Sequence, residues 1–273
     1  MDRLKAQKPG NDVSFYGSLI GFAAIYVLLI LMLVVAITSY ITWDDLVASI
    51  QSEAIRSSLT LTFLTCTVSA ILSILFAVPI AYLLSRTHFK GKTIVDTVFD
   101  IPIILPPLVL GLSLLILFNS FPSRESSLED FLNRYGIHVT FHTAAIILAQ
   151  FTVAAAFAVR SMKNTFDQIS PRTELIALTL GCTQAQAFWR VTMPQAGRGI
   201  LSAALLAWAR ALGEFGPILI FAGATRGRTE VLSTSVFLEI NIGNLGGAAS
   251  VSLLLITLAL STILIIRTLG DRR

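Results

Sequence analysis

An arginine and a glutamate four positions apart, Arg210 and Glu214, are the only charged residues in the apolar run from 200 to 222. A charged side chain costs about 2.5–3.5 kcal/mol at the centre of a membrane-spanning helix, so such residues usually face an interior. The spacing places both on one helix face, where they can pair. Two interpretations stay open: the pair neutralises itself and locks two helices, or it marks the path of an ion.

Glycine and proline beside the pair favour a break in the helix. Gly213 and Gly216-Pro217 loosen the helix, and the backbone groups exposed at a break can meet an ion. A lone carboxylate would repel an anion. The presence of Arg210 therefore matters for whether the path accepts an anion or a cation. The predicted path residues are Arg210, Gly213, Glu214, Gly216 and Pro217.

A pair of histidines could bind a metal but lacks the rest of a site. His138 and His142 are four apart, as metal ligands on a helix often are. The residues between them, Val139, Thr140 and Phe141, favour an extended chain, and no carboxylate completes the set. We therefore predict no metal site.

The remaining chemical motifs are also incomplete. Lys90-Gly91-Lys92-Thr93 resembles the end of a phosphate-binding loop, but that loop needs a glycine where Arg86 stands. The two cysteines, Cys66 and Cys182, lie in an apolar run and in a polar loop, which predicts free thiols. The sequence has no nucleophile elbow, zinc-protease pair or redox dithiol. We predict no catalytic residue and no cofactor, so the chain is not an enzyme.

The composition is that of an integral membrane protein. Of the 273 residues 55% are hydrophobic and only 13% are charged, which is too apolar for an ordinary soluble domain. The net charge of +4 comes from short basic tracts beside apolar runs, without a basic stripe interleaved with aromatics. Membrane lipid is therefore the expected surrounding, and nucleic acid is not a partner.

Six apolar segments are long enough to span a bilayer, which takes about 20 residues. The first stays uncharged from Val13 to Trp43, too long for a cleaved signal peptide. Pro79 in the second, and Pro102, Pro106 and Pro107 in the third, predict kinks and a bundle with internal cavities, or else a helix entrance at 102–107. The predicted spans are Leu19–Ile41, Leu59–Leu84, Ile101–Phe118, Thr143–Val159, Ile200–Ala222 and Val251–Ile266.

The distribution of Lys and Arg predicts the orientation. Of 20 such residues, 14 lie at the two termini and in loops 86–97 and 160–199, and five lie in the alternate loops. Basic residues resist translocation, so both termini and the 160–198 loop are predicted to be cytoplasmic. In the alternate loop from Asn119 to His142, we expect a short helix near Ser127–Tyr135.

The polar stretch from Arg160 to Arg198 predicts two short helices outside the bilayer. Ser170 is a good N-cap, Pro171 suits a first helical position, and Gly181 can end the helix in a left-handed conformation. Thr183 is the predicted cap of a second helix over Gln184–Val191, which Pro194 stops. The apolar residues of this stretch either dock on a partner or pack back on the bundle; they are Leu175, Leu178, Phe188 and Trp189.

The stretch resembles the EAA loop of type I ABC importer permeases. Glu174-Leu175-Ile176-Ala177, a glycine at Gly181 and the closing Val191-Thr192-Met193-Pro194 carry the resemblance, although Leu175 and Ile176 replace two alanines. The resemblance covers roughly Ser57 to Ile266. It implies an all-α, polytopic permease fold of six transmembrane helices, with an added segment 1–56, a permease core 57–267 and the coupling loop 160–198.

In that family the loop is a coupling helix that sits in a groove of a cytoplasmic ATPase, with the glutamate near basic residues there. The resemblance implies that Glu174 and Gly181 take the glutamate and turn roles and that Pro194 closes the motif. The coupling residues implied are Glu174, Ala177, Gly181, Phe188, Trp189 and Pro194. It also implies two ATP-binding subunits, an external substrate-binding protein, and a homodimer or a pair with a homologous permease in the cytoplasmic membrane.

Two further segments resemble permeases for tetrahedral oxyanions. These are Ala209–Gly216 and the stretch Thr229–Ser235 followed by Leu238-Glu239. The resemblance implies an importer of molybdate first, with tungstate and sulfate behind it. The alternatives are a related permease for phosphate, a cation or an amino acid, and a membrane scaffold or sensor without transport.

Overall fold

Apolar runs become long helices throughout residues 13–123 and 126–270, the part of the chain that this computed structural model describes. The predicted all-α fold is confirmed. The helices are α1 (Val13–Tyr40), α2 (Trp43–Gln51), α3 (Glu53–Arg86), α4 (Lys92–Ile104), α5 (Pro107–Ser120), α6 (Leu128–Asn133), α7 (Thr143–Gln168), α8 (Pro171–Thr179), α9 (Gln184–Ala187), α10 (Met193–Leu212), α11 (Gly216–Phe221), α12 (Leu232–Asn241) and α13 (Leu245–Gly270). A two-residue antiparallel ribbon pairs β1 (Pro122–Ser123) with β2 (Ser126–Ser127).

Among the described residues, four helices are long and apolar enough to cross a membrane: α1, α3, α7 and α13. A fifth candidate is the pair α4 and α5, which meet at an angle of 108°. Each of the six predicted segments is largely helical, but the third is divided between α4 and α5 and the fifth between α10 and α11. The side of the two termini stays a prediction, because residues 1–12 and 271–273 lie outside the described part.

Three helices, α3, α7 and α10, form the centre of the bundle. Their contact surfaces consist largely of alanine, and such small residues let helix backbones approach closely. This cluster includes Ala70, Ala77, Ala81, Ala154, Ala158, Ala196, Ala203, Ala207 and Ala211. In contrast, no described side chain of α1 is buried.

The third predicted span is broken into two helices at its prolines, and proline chemistry gives the reason. A residue before proline is pushed out of the helical region. Leu105 precedes Pro106, and Pro106 precedes Pro107; both adopt extended conformations, with ψ of 137° and 134°. Pro107 then begins α5, which is the helix-entrance alternative, whereas Pro79 lies inside an unbroken α3.

The segment between α5 and α7 contains the predicted short helix, which is confirmed as α6. Ser127 caps it, and Ser127 and Asp130 form a reciprocal capping box. The Ser127 hydroxyl and backbone N–H donate to the Asp130 carboxylate, which lowers the pKa of this carboxyl. His138 and His142 stack at 5.6 Å outside any helix, and no cluster of three metal-binding side chains occurs in the described chain.

Candidate functional site

The loop between α7 and α10 begins with the predicted capped helix, α8. The Ser170 hydroxyl accepts a hydrogen bond from the Arg172 backbone N–H, and Pro171 occupies the first turn. Gly181 has a φ of +90°, which favours glycine. Its N–H donates to the Leu178 carbonyl, and the next N–H, of Cys182, donates to the Ala177 carbonyl. These two bonds form a Schellman motif, so the predicted turn is confirmed.

The second half of the loop differs from the prediction. Thr183 does cap α9 in a capping box with Gln186, but α9 passes into a π-helical turn over Phe188–Thr192 and then directly into α10. The prediction that Pro194 stops the helix is wrong. Pro194 lies in the first turn of α10, directly after the π-helical turn, and the helix continues through it.

Glu174 faces the interior of the chain. Glu174 is only 9% exposed, although it lies in a helix at the surface. One carboxylate oxygen, Oε1, accepts from Arg86 Nε at 2.9 Å and from the Thr192 hydroxyl at 2.8 Å. The other, Oε2, accepts from the Tyr82 hydroxyl at 3.0 Å. The resemblance implies a basic partner on another subunit, whereas here the basic partner is Arg86 of the same chain.

Arg86 is the last residue of α3, and every nitrogen of its guanidinium has a partner. Besides Glu174, Nη1 donates to the Phe166 carbonyl at 3.1 Å and to the Ser85 hydroxyl at 3.3 Å. Nη2 donates to the Ile169 carbonyl at 3.0 Å. Both carbonyls lie at the end of α7, where the last carbonyls of a helix have spare capacity to accept hydrogen bonds. Arg86 therefore joins α3, α7 and α8.

The outer surface of the loop is apolar. Ala177 is buried and Phe188 is half-buried, with its ring 4.6 Å from that of Tyr82. Pro194 is exposed. A cavity of about 490 Å³ opens beside this surface, lined by Leu175 and Leu178 and by the Arg86–Glu174 pair. The exposed apolar set consists of Leu175, Ile176, Leu178, Leu180 and Trp189.

The second candidate region is the Arg210–Glu214 pair. Arg210 Nη2 lies 3.0 Å from Glu214 Oε1, so the pair expected from the spacing forms. The guanidinium also lies 4.7 Å from the centre of the Phe157 ring in α7, within cation–π range. Glu214 is only 3% exposed, whereas the Arg210 side chain is 40% exposed. The positive member of the pair is therefore the accessible one.

The helix breaks beside this pair. α10 ends at Leu212, and α11 begins at Gly216, with Pro217 in its first turn. A Cβ at Gly216 would lie 3.0 Å from the Pro107 side chain, and one at Gly111 would lie 2.7 Å from Pro217 Cα. Glycine at these positions lets α11 contact α5. Glycine is not required at Gly213. A Cβ there would lie 3.8 Å from the nearest atoms, which is an ordinary contact, and the φ angle is negative.

A further charged cluster lies between α11 and α13. Arg226 pairs with Glu239 at 2.7 Å, and the Asn244 side chain donates to the same carboxylate at 2.6 Å. Glu230 is 2% exposed, and neither carboxylate oxygen has a hydrogen-bond partner in the described residues. Burial raises the pKa of this carboxyl, and nearby Ser235 and Arg226 oppose the shift only in part.

Sequence reasoning did not find Arg86, Tyr82, Thr192 or Phe157. In the sequence Arg86 is one of the basic residues that flank a span and the residue that breaks the phosphate-loop pattern, and neither observation predicts a partner for it. One signal could have marked Arg86: it lies in the last turn of a predicted helix. The carbonyls at helix ends favour a basic side chain that can donate to them. Nothing local in the sequence indicates the π-helical turn that brings Thr192 to Glu174.

Residues 73–273 match the family described as "binding-protein-dependent transport system inner membrane component". A molybdenum transport system permease protein of Mycobacterium tuberculosis is 32% identical over 238 residues, 87% of this chain and 88% of its own. A molybdate/tungstate transport system permease protein of Pyrococcus furiosus is 34% identical and covers 83% and 81%. A sulfate transport system permease protein of Salmonella typhimurium is 29% identical and covers 97% and 94%.

Solved structures share the fold. A chain of a bacterial alginate ABC transporter, crystallised with a periplasmic protein bound to an alginate pentasaccharide, aligns with a TM-score of 0.76 at 18% identity. The alignment covers 96% of this chain and 95% of that one. At this identity the likeness concerns the fold alone.

Proposed function

The chain belongs to the family of inner membrane components of binding-protein-dependent transport systems, the permeases of ABC importers, and we propose that its cargo is a tetrahedral oxyanion. Molybdate ranks first, with tungstate and sulfate behind it. The observation that carries the oxyanion class is that relatives named for these anions align with 83–97% of the chain, and the molybdenum and molybdate/tungstate relatives are 32% and 34% identical, against 29% for the sulfate relative. The resemblance of Ala209–Gly216 to oxyanion permeases points the same way.

The Arg210 region supplies a suitable element for such a path. Arg210 is the accessible member of a pair whose carboxylate is buried, so an approaching anion meets the guanidinium before the carboxylate. A guanidinium presents several N–H donors in a plane, which suits the oxygens of an oxyanion. The broken helix at Gly213, Glu214, Gly216 and Pro217 places this pair beside non-helical backbone, as in other transporters.

The loop from 160 to 198 is the proposed docking element for a separate ATPase subunit. Five apolar side chains on its surface are exposed in the described chain, which supports a protein partner. In this proposal the loop and both termini are cytoplasmic, and two copies of the chain form the path. An external binding protein delivers the anion, and ATP hydrolysis takes place on the partner subunits.

Reconstitution tests the proposal. The chain is purified with its cognate ATPase and incorporated in proteoliposomes with the cognate binding protein, and ATP-dependent uptake of molybdate, tungstate, sulfate and phosphate is measured. We expect uptake of the first three, with molybdate the most efficient. Arg210→Met removes the accessible positive charge, and we expect oxyanion uptake to fall about tenfold, which corresponds to about 1.4 kcal/mol. Arg56→Met, at the exposed beginning of α3, is the matched control.

The other functions predict different results. Uptake of phosphate, a cation or an amino acid without any oxyanion would refute the cargo but keep the importer. A chain that purifies without an ATPase partner and transports nothing would favour the membrane scaffold.

A further inference from the structure

One buried guanidinium connects the docking loop to two helices of the core. Arg86 lies at the end of α3, and its side chain is 12% exposed. It donates to Glu174 in α8 and to two backbone carbonyls, of Phe166 and Ile169, at the end of α7. The contacts of this single residue therefore join the docking loop to the ends of two helices that already pack together in the core.

Glu174 is held equally firmly from its own side. Its carboxylate accepts three hydrogen bonds, two from α3 through Arg86 and Tyr82 and one from Thr192 in the π-helical turn. Thr192 is fully buried, so the bond is protected from water. Charge-assisted hydrogen bonds of this kind are about twice as strong as neutral ones. A carboxylate so engaged has little capacity left for a partner on another subunit.

The other ion pairs at this end of the bundle are more exposed. Arg160 and Asp100 join α7 to α4 at 3.2 Å, with side chains 63% and 34% exposed. Lys163 reaches Asp96 and Asp167 at 4.0 and 3.6 Å. Exposed pairs contribute little, because water and salt screen them. They cannot hold the loop to the core as the Arg86 contacts do.

We propose that Arg86 is a positioning residue that transmits the movement of the docking loop to α3 and α7, with Glu174 acting inward as its anchor. This inference rests on the proposed docking of an ATPase on the same loop. A push on α8 moves the Glu174 carboxylate, and the guanidinium carries that displacement to the ends of both core helices. The apolar set makes the contact with the ATPase, and the Glu174–Arg86 pair makes the connection to the core.

The proposal predicts that Arg86 and Glu174 act as one unit. Three single variants, Arg86→Lys, Arg86→Met and Glu174→Gln, are compared with the double variant Arg86→Met/Glu174→Gln and with Asp100→Asn, which removes an exposed pair. Lysine keeps the charge but is a point-like donor that cannot reproduce the planar set of bonds. It also keeps the test informative if the methionine variant does not fold.

Two quantities are measured on the complex with the ATPase. The first is anion transported per ATP hydrolysed, which we expect to fall about fivefold in each single variant, within the range for residues of a coupled network. The second is the mobility of a nitroxide attached to Cys182 in the loop, which should increase. Cys66 is fully buried and stays unlabelled. The ATPase should copurify with every variant, and the double variant should be no worse than the worse single one.

Several results would overturn the proposal. If Arg86→Met keeps normal coupling and label mobility while Glu174→Gln uncouples, Glu174 acts outward on the ATPase. Effects that multiply in the double variant would also show that the two residues act separately. If the unmodified chain binds no ATPase, the proposed function fails, but the Cys182 label on the chain alone still reports whether Arg86 holds the loop.

Discussion

The two candidate regions treat their buried polar groups in opposite ways. Around Glu174 every carboxylate oxygen and every Arg86 nitrogen has a partner. Arg210 Nε beside the broken helix and both oxygens of Glu230 in the cluster that follows α11 are buried without one, and they are the only such side-chain atoms among the described residues. A satisfied network is rigid, whereas an unsatisfied one costs free energy until something binds or moves. The first region suits transmission of force, and the second suits a response to a ligand.

The largest expected effect breaks the satisfied network. Glu174→Ala leaves the Arg86 guanidinium without its buried counter-ion, so we expect a loss of about 3–5 kcal/mol of unfolding free energy. Thermal unfolding in detergent measures it, with Asp100→Asn as the control at about 0–1 kcal/mol. Equal effects of the two variants would remove the contrast between buried and exposed pairs.

The next effect concerns the packing that supports the broken helix. In Gly111→Val the new Cβ meets the Pro217 backbone at 2.7 Å, which cannot move aside as a flexible side chain could. We expect a loss of about 1–3 kcal/mol from this overpacking. Gly197→Ala in α10 is the matched control: no atom lies within 4 Å of its added Cβ, and alanine is favoured over glycine in a helix by about 0.5–1 kcal/mol. A Gly111→Val protein as stable as wild type would contradict the close approach of α5 and α11.

A smaller effect isolates the turn of the docking loop. Gly181→Ala introduces no clash, because nothing lies within 4 Å, but it places a side chain at a φ of +90°. The backbone strain should cost about 1–2 kcal/mol. Gly181→Asn should cost less, since asparagine tolerates the left-handed region. The two unfolding midpoints provide the comparison, and a larger loss for asparagine would exclude backbone strain as the cause.

The smallest effect sharpens the account of the unsatisfied region. Burial raises the folded-state pKa of Glu230, so the folded chain holds this proton more tightly than the unfolded chain does. The contribution of this group to stability should therefore be largest at low pH and decline as pH rises from the ordinary glutamate pKa through the raised one. Glu230→Gln should flatten this decline and raise the unfolding midpoint at neutral pH. Unfolding midpoints from pH 4 to 8 measure it, and a decline of the same size in both proteins would assign it to another group.

The sequence predicted the features that depend on residues close together in the chain. The caps Ser170 and Thr183, the Gly181 turn and the Arg210–Glu214 pair were all found, because each depends on residues within one or two helical turns. The Arg86–Glu174 pair was not, since its members are 88 positions apart and meet only after α3 and α8 pack together. The sequence pattern left two alternatives for Pro102–Pro107, a kink or a helix entrance. The extended conformation of the residues before Pro106 and Pro107 decided between them.

The π-helical turn sets the angular phase between the docking loop and α10. Because an α-helix advances about 100° per residue, deleting one residue between Phe188 and Val191 would turn every position on one side of the deletion by that angle relative to the other. Thr192 would then no longer face Glu174, although no residue of the network had been replaced. Length, as well as residue type, is therefore under constraint in this five-residue segment.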